Sequence, residues 1–101
     1  MKTYTIDLKL IDRSIGENIY SPIIRGLELS NRCGKNLDAL WDMLTGQIEL
    51  PCRIIFLSKA ELREDETAVF KRILRVIDMA VDEGAQIEYE VFDSSAVGSI
   101  Q

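Results

Sequence analysis

Asp38 and Asp42 are the residues of this chain best placed to do chemistry, and the chemistry they offer is recognition of positive charge. Four positions apart, they fall on one side of a helix, where a like-charge pair costs roughly 0.2–0.5 kcal/mol. Asp38 recovers part of that cost near the positive end of the helix dipole; Asp42, further along, recovers less. Trp41 lies between the two acids and the apolar stripe, about 60° around the helix from Asp38. A large aromatic beside two fixed carboxylates suits a contact surface for a cationic partner. The same pattern fits a plainer reading, a solvated acidic face bordered by a tryptophan at the edge of the core.

Reaction chemistry is poorly supported. The chain has no histidine, which removes the commonest general base, proton shuttle and zinc ligand. It has no glycine-rich phosphate loop and no G-x-S-x-G elbow. Cys33 has no histidine to activate it. A carboxylate-only site at Asp38 and Asp42 would sit exposed on one short helix with nothing to raise a pKa for an acid role. Magnesium would bind such a pair only weakly without substrate phosphates. The expectation is a protein that is not an enzyme and uses no cofactor or metal. Cys33 and Cys52 fit no metal-ligand or redox spacing and are read as free thiols of a reducing cytoplasm.

The element that positions the acids runs from Asn36 to Gly46. Leu37, Leu40, Trp41 and Leu44 follow the i, i+3, i+4, i+7 rule of one helix face. Asn36 stands where a side-chain cap is wanted, and Gly46 where a left-handed residue often ends a helix. About nine residues of helix are marginal alone in water, so neighbours must hold it.

Around it, Met1–Leu10 alternates, with Tyr4, Ile6, Leu8 and Leu10 on the buried side of an edge strand. A first helix is expected over Ser21–Leu29, capped by Ser21 and opened by Pro22, with Gly26 weakening its middle. Pro51 precedes a nearly continuous apolar run, Cys52–Leu57, which reads as a central strand. Ser58 and Glu61 form a capping-box pattern opening a short helix through Leu62. A long helix follows over Glu66–Glu83, with Val69, Phe70, Ile73, Leu74, Ile77, Ala80 and Val81 inward. Gly84 stops it, and Gln86–Phe92 forms a half-exposed third strand. Strand, helix, strand, helix, strand implies a parallel three-stranded sheet. Residues 1–93 are expected to form one domain and residues 94–101 a loose tail.

The sequence has 101 residues and is 47% hydrophobic, enough for one real core. Its 17 acidic residues outnumber 12 basic ones, a net charge of -5, which disfavours nucleic acid and anionic membranes and favours a basic protein. No signal peptide or membrane-length apolar run is suggested, so the cytoplasm is the expected compartment.

The run Gly34, Asn36-Leu37-Asp38-Ala39-Leu40-Trp41-Asp42, Leu44-Thr45-Gly46, Glu49 and Pro51 resembles the barstar family, the intracellular inhibitors of secreted ribonucleases. More weakly, the resemblance spans nearly the whole domain. It implies a layered α/β fold with three parallel strands and about four helices, and a one-to-one complex with a small basic ribonuclease or nuclease toxin. Asp42 would be the main anchor, standing in for substrate phosphate among the enzyme's arginines and catalytic histidine, with Asp38 as the second acid. Trp41 would give apolar contact, Gly46 would let the partner's backbone approach, and Asn36 would fix the helix start. Thr45 and Glu49 belong to the same matched run. The periphery departs from the family: Arg32 replaces an aromatic, Lys35 stands where an acid is common, and Met79 takes the place of a contacting glutamate that Asp78 or Asp82 could replace. Such changes alter partner choice and rate. They are compatible with a different ribonuclease, with a nuclease toxin of another sort, or with a non-inhibitory interaction module of the same fold.

Overall fold

The computed structural model describes residues 1–30 and 33–95. Three strands, β1 (Lys2–Asp7), β2 (Cys52–Leu57) and β3 (Ile87–Val91), form one parallel sheet in the order β1-β2-β3. Lys2 lies opposite Cys52, and Cys52 opposite Ile87. The apolar run after Pro51 is therefore the central strand. Cys52, Ile54 and Phe56 are sealed on one face, while Ile55 and Leu57 are half-covered on the other. Three α-helices complete the domain: α1 (Tyr20–Gly26), α2 (Leu37–Gly46) and α3 (Glu64–Asp82). Single 3-10 turns occur at Leu8–Leu10, Arg13–Ile15 and Lys59–Glu61.

α3 carries the middle of the core. Phe70, Ile73, Ile77 and Ala80 are buried, and the Phe70 ring meets Phe56 of β2 edge to face at 5.1 Å, a favoured aromatic geometry. α1 lies against β1. Its Gly26 is required by contact: a Cβ there would stand 2.5 Å from Ile6 Cγ1 and 2.9 Å from the Thr5 carbonyl oxygen. α2 packs against α3. Both cysteines are free.

Several local expectations are corrected. β1 ends at Asp7, whose carboxylate accepts from the Lys9 N–H and caps a 3-10 turn; the alternation breaks there, and Leu10 is 56% exposed. Ser21 is not a cap. α1 starts one residue earlier, Asn18 accepts from the Tyr20 N–H, and the Ser21 hydroxyl is buried inside the helix without a partner among the described residues. Ser58 adopts a left-handed φ of 64° and makes no cap bond. The Glu that reaches back to an N-cap N–H is Glu66, which accepts from Arg63 at 2.8 Å. α3 accordingly begins at Glu64, so Glu64 and Asp65 lie in its first turn rather than in a connecting loop, where acids suit the dipole. Val81 is 39% exposed, because it lies just beyond the edge of the stripe set by Ile73, Ile77 and Ala80. Gly84, at φ 106°, does end the helix.

Candidate partner-binding site

α2 is built as a rigid platform. Asn36 is extended and its side chain accepts from the Ala39 N–H at 2.8 Å, while its carbonyl accepts from Leu40 N at 3.0 Å. The side-chain bond satisfies one of the four orphan donors of the helix start, and the carbonyl bond is the first of the helix itself. Leu40, Met43 and Leu44 are buried; Leu37, Ala39 and Trp41 are partly so. The stripe is rotated from the expected one. Met43 is a full core member, and Trp41 sits at the margin of the stripe, where its place between the acids and the apolar side put it.

That rotation sets the acids opposite the core. At 100° per residue, Asp38 and Asp42 both project away from the Leu40–Met43–Leu44 side, and both are exposed. Neither makes an ion pair or a hydrogen bond through its side chain among the described residues; the ion pairs there lie at Lys2–Glu28, Lys9–Asp7, Arg13–Glu66, Arg25–Glu17 and Arg53–Glu90. Two carboxylates are thus placed by backbone geometry and left without an ion pair among the described residues.

Two depressions flank this ridge. One, of about 430 Å³, has Asp42 on its wall with Cys33, Gly34 and Gln47. The Cys33 thiol lies 3.7 Å from Gln47 Oε1 as its donor, which ties the loop before α2 to the residue after it. The other, of about 380 Å³, has Asp38 on its wall together with Lys35, Arg72 and Tyr20. The acids therefore share a helix face but open onto different concavities.

The remaining expected site residues are scattered. Thr45 is exposed, and its hydroxyl donates to the Trp41 carbonyl at 2.7 Å. Gly46 is exposed and is the last helical residue, not a left-handed stop; a Cβ on it would meet nothing within 4 Å. Glu49 is exposed beyond the helix, where its N–H donates to the Tyr4 hydroxyl at 2.9 Å and its charge is felt by Lys2. It therefore stands toward the start of β1. Lys35 is exposed beside Asp38. Met79, 51% exposed, lies on the outer side of α3, where Asp78 accepts from the Tyr89 hydroxyl. Arg32 lies outside the described residues, as does the expected tail from residue 96 onward.

Gln47, Tyr20 and Arg72 border the acids without any sequence signal. Tyr20 and Arg72 come from α1 and α3, and only the tertiary packing brings them to α2.

A family model described as Barstar (barnase inhibitor) matches residues 1–93 of the chain. Among curated proteins the chain has no match. Among the described residues, no helix is long and apolar enough to cross a membrane.

Proposed function

Because the chain belongs to the barstar family, whose members are inhibitors rather than enzymes, we propose that it blocks the active site of a small basic ribonuclease in a one-to-one complex. α2 enters the enzyme's phosphate-binding cleft. Asp42 takes the position of a substrate phosphate among convergent guanidinium donors, a geometry that favours paired, charge-assisted hydrogen bonds. Asp38 is the second acid of the contact, Trp41 gives it an apolar border, and Gly46 leaves room for the partner's backbone. The opposed fields of an acidic ridge and a basic cleft also speed encounter.

The observation that carries this reading is the pair of exposed carboxylates on a capped, packed helix, neither held in an ion pair among the described residues. A charge already paired within the molecule would have to break that pair before docking; these do not.

The test is calorimetric titration of the wild type, Asp42→Ala and Asp38→Ala against a panel of small basic ribonucleases, barnase included, at low and physiological salt. Asp42→Ala is expected to weaken binding by about 2–5 kcal/mol, a general range for which barnase–barstar is itself a reference case. Asp38→Ala should cost less, and both should melt like the wild type. Equal affinities for all three proteins would remove the anchor assignment. Failure to bind any ribonuclease, with the fold intact, would favour the non-inhibitory module.

A further inference from the structure

The depression on the Lys35 side of α2 is chemically opposite to the one on the Asp42 side. Lys35 and Arg72 both line it, and neither has an ion pair or side-chain hydrogen bond among the described residues. Asp38 borders the same space yet lies beyond ion-pair distance of both cations. Glu17, the other acid electrostatically close to Lys35, is already held by Arg25 at 2.9 and 3.2 Å. Tyr20 is only 8% exposed, lines the depression, and donates no hydroxyl hydrogen bond among the described residues. The positive charge of Arg72 acts on that hydroxyl against the burial that raises its pKa. Asn36 and Leu37, at the positive end of the ten-residue α2, line the same space.

The Tyr20 hydroxyl is a donor with no acceptor among the described residues, open to whatever enters the depression. Here it converges with an ammonium, a guanidinium and a helix N-terminus. All four favour one kind of occupant, a compact anion that accepts hydrogen bonds.

Resting on the function proposed above, we infer that this depression receives an aspartate or glutamate side chain of the ribonuclease partner. The interface is then two-signed: Asp42 and Asp38 meet the enzyme's cations, and Lys35, Arg72 and the Tyr20 hydroxyl clasp a carboxylate beside them. A protein carboxylate fits better than a free anion, because the depression is continuous with the α2 ridge and Asp38 on its wall would repel a multiply charged ion. The two-signed pattern selects among nucleases. An enzyme with a uniformly basic rim meets Lys35 and Arg72 as like charges, which disfavours the wrong partner.

The experiment uses each ribonuclease of the panel that the wild type binds in an Asp42-dependent way. Lys35→Glu and Arg72→Glu are expected to weaken that binding about 10- to 100-fold at physiological salt, mainly by faster dissociation. Lys71→Glu, with the same change of net charge on α3 but outside the depression, should stay within about 2-fold once salt screens it. Tyr20→Phe keeps the ring, so it should melt no lower than the wild type yet bind about 3- to 10-fold more weakly, since only the hydroxyl bond to the partner is lost.

Charge reversals that leave Asp42-dependent binding unchanged, or tighten it, would overturn this inference while leaving the inhibitor reading in place. Millimolar inorganic phosphate that perturbs the Lys35 and Arg72 resonances, with ribonuclease binding indifferent to Lys35→Glu, would assign the depression to a free anion and overturn it as well. If no ribonuclease binds in an Asp42-dependent way, both readings fall.

Discussion

Charge is handled in two ways on the two sides of α1. In the connection that leads into it, every strong charge has an internal partner. Arg13 grips Glu66 with two parallel bonds, one of them 2.8 Å from Nε to Oε2, and Glu66 also accepts from the Arg63 N–H. Arg25 grips Glu17 in the same forked way and adds a bond to the Leu10 carbonyl. These pairs fasten the segment between β1 and α1 to the helices around it. On α2, Asp38 and Asp42 have no such partner among the described residues, although Lys35 and Arg72 border the same depression as Asp38. The matched charges fasten this segment to the fold; the unmatched acids of α2 are the ones the proposed function gives to a partner.

The strongest way to break that contrast is Asp42→Ala. It should remove about 2–5 kcal/mol of ribonuclease affinity and leave the melting temperature within about a degree, since surface truncations away from structural contacts change stability little. A large loss of stability would place Asp42 among the structural charges instead.

Gly26→Ala addresses the frame beneath. Its methyl group would collide with Ile6 and the Thr5 carbonyl, and overpacking of this kind costs about 1–3 kcal/mol. Urea denaturation should read that loss, with ribonuclease affinity close to wild type for the fraction that stays folded. A neutral result would show that α1 can lift from β1 without cost.

Glu66→Gln should do the reverse of Asp42→Ala, lowering stability and sparing affinity. The Arg13 guanidinium, which hydrogen-bonds the Glu66 carboxyl, is the main cause that holds its pKa below the ordinary carboxylate range. A folded-state pKa below the unfolded one contributes stability above the unfolded value, and the contribution drains away as pH falls through the folded one. Wild type and Glu66→Gln should therefore differ in urea midpoint at neutral pH and converge in acid. A gap that persists unchanged into acid would assign the effect to packing.

The smallest expected effect is the most discriminating. Gly46 ends α2 in open space, so nothing inside the protein requires a glycine there. Gly46→Ala should stabilise the free protein by up to about 0.5 kcal/mol through helix propensity while weakening the complex, as the added methyl meets the partner. Stabilisation without weaker binding would release Gly46 from the contact.

Much of this was legible in the sequence because it rests on local rules. The Asn36 cap, the exposure of Asp38 and Asp42 and the parallel order with β2 central follow from periodicity and capping chemistry. The misreadings came where two local rules competed. Ser21 before Pro22 and Ser58 before Glu61 both satisfy a capping rule, yet Asn18 accepts from the Tyr20 N–H ahead of Ser21, and the N–H groups of Lys59 and Ala60 go to the Phe92 and Asp93 carbonyls instead of to the Ser58 hydroxyl. Met43 falls outside the i, i+3, i+4, i+7 set counted from Leu37, and only the packed structure shows the covered face centred on Leu40, Met43 and Leu44. The Lys35–Arg72–Tyr20 grouping was illegible for a different reason. Its members come from three separate segments, and nothing short of the folded chain puts them together.

α2 rests on α3, and that arrangement makes the two acids sensitive to residues they never touch. A volume change in the buried face of α3, such as at Ile73 or Ile77, would be felt through that packing. Because docking rewards placement so steeply, ribonuclease affinity would serve as a gauge of core order. Variants picked only for tight inhibition would then accumulate in the hidden layer of α3 as readily as on the acidic face.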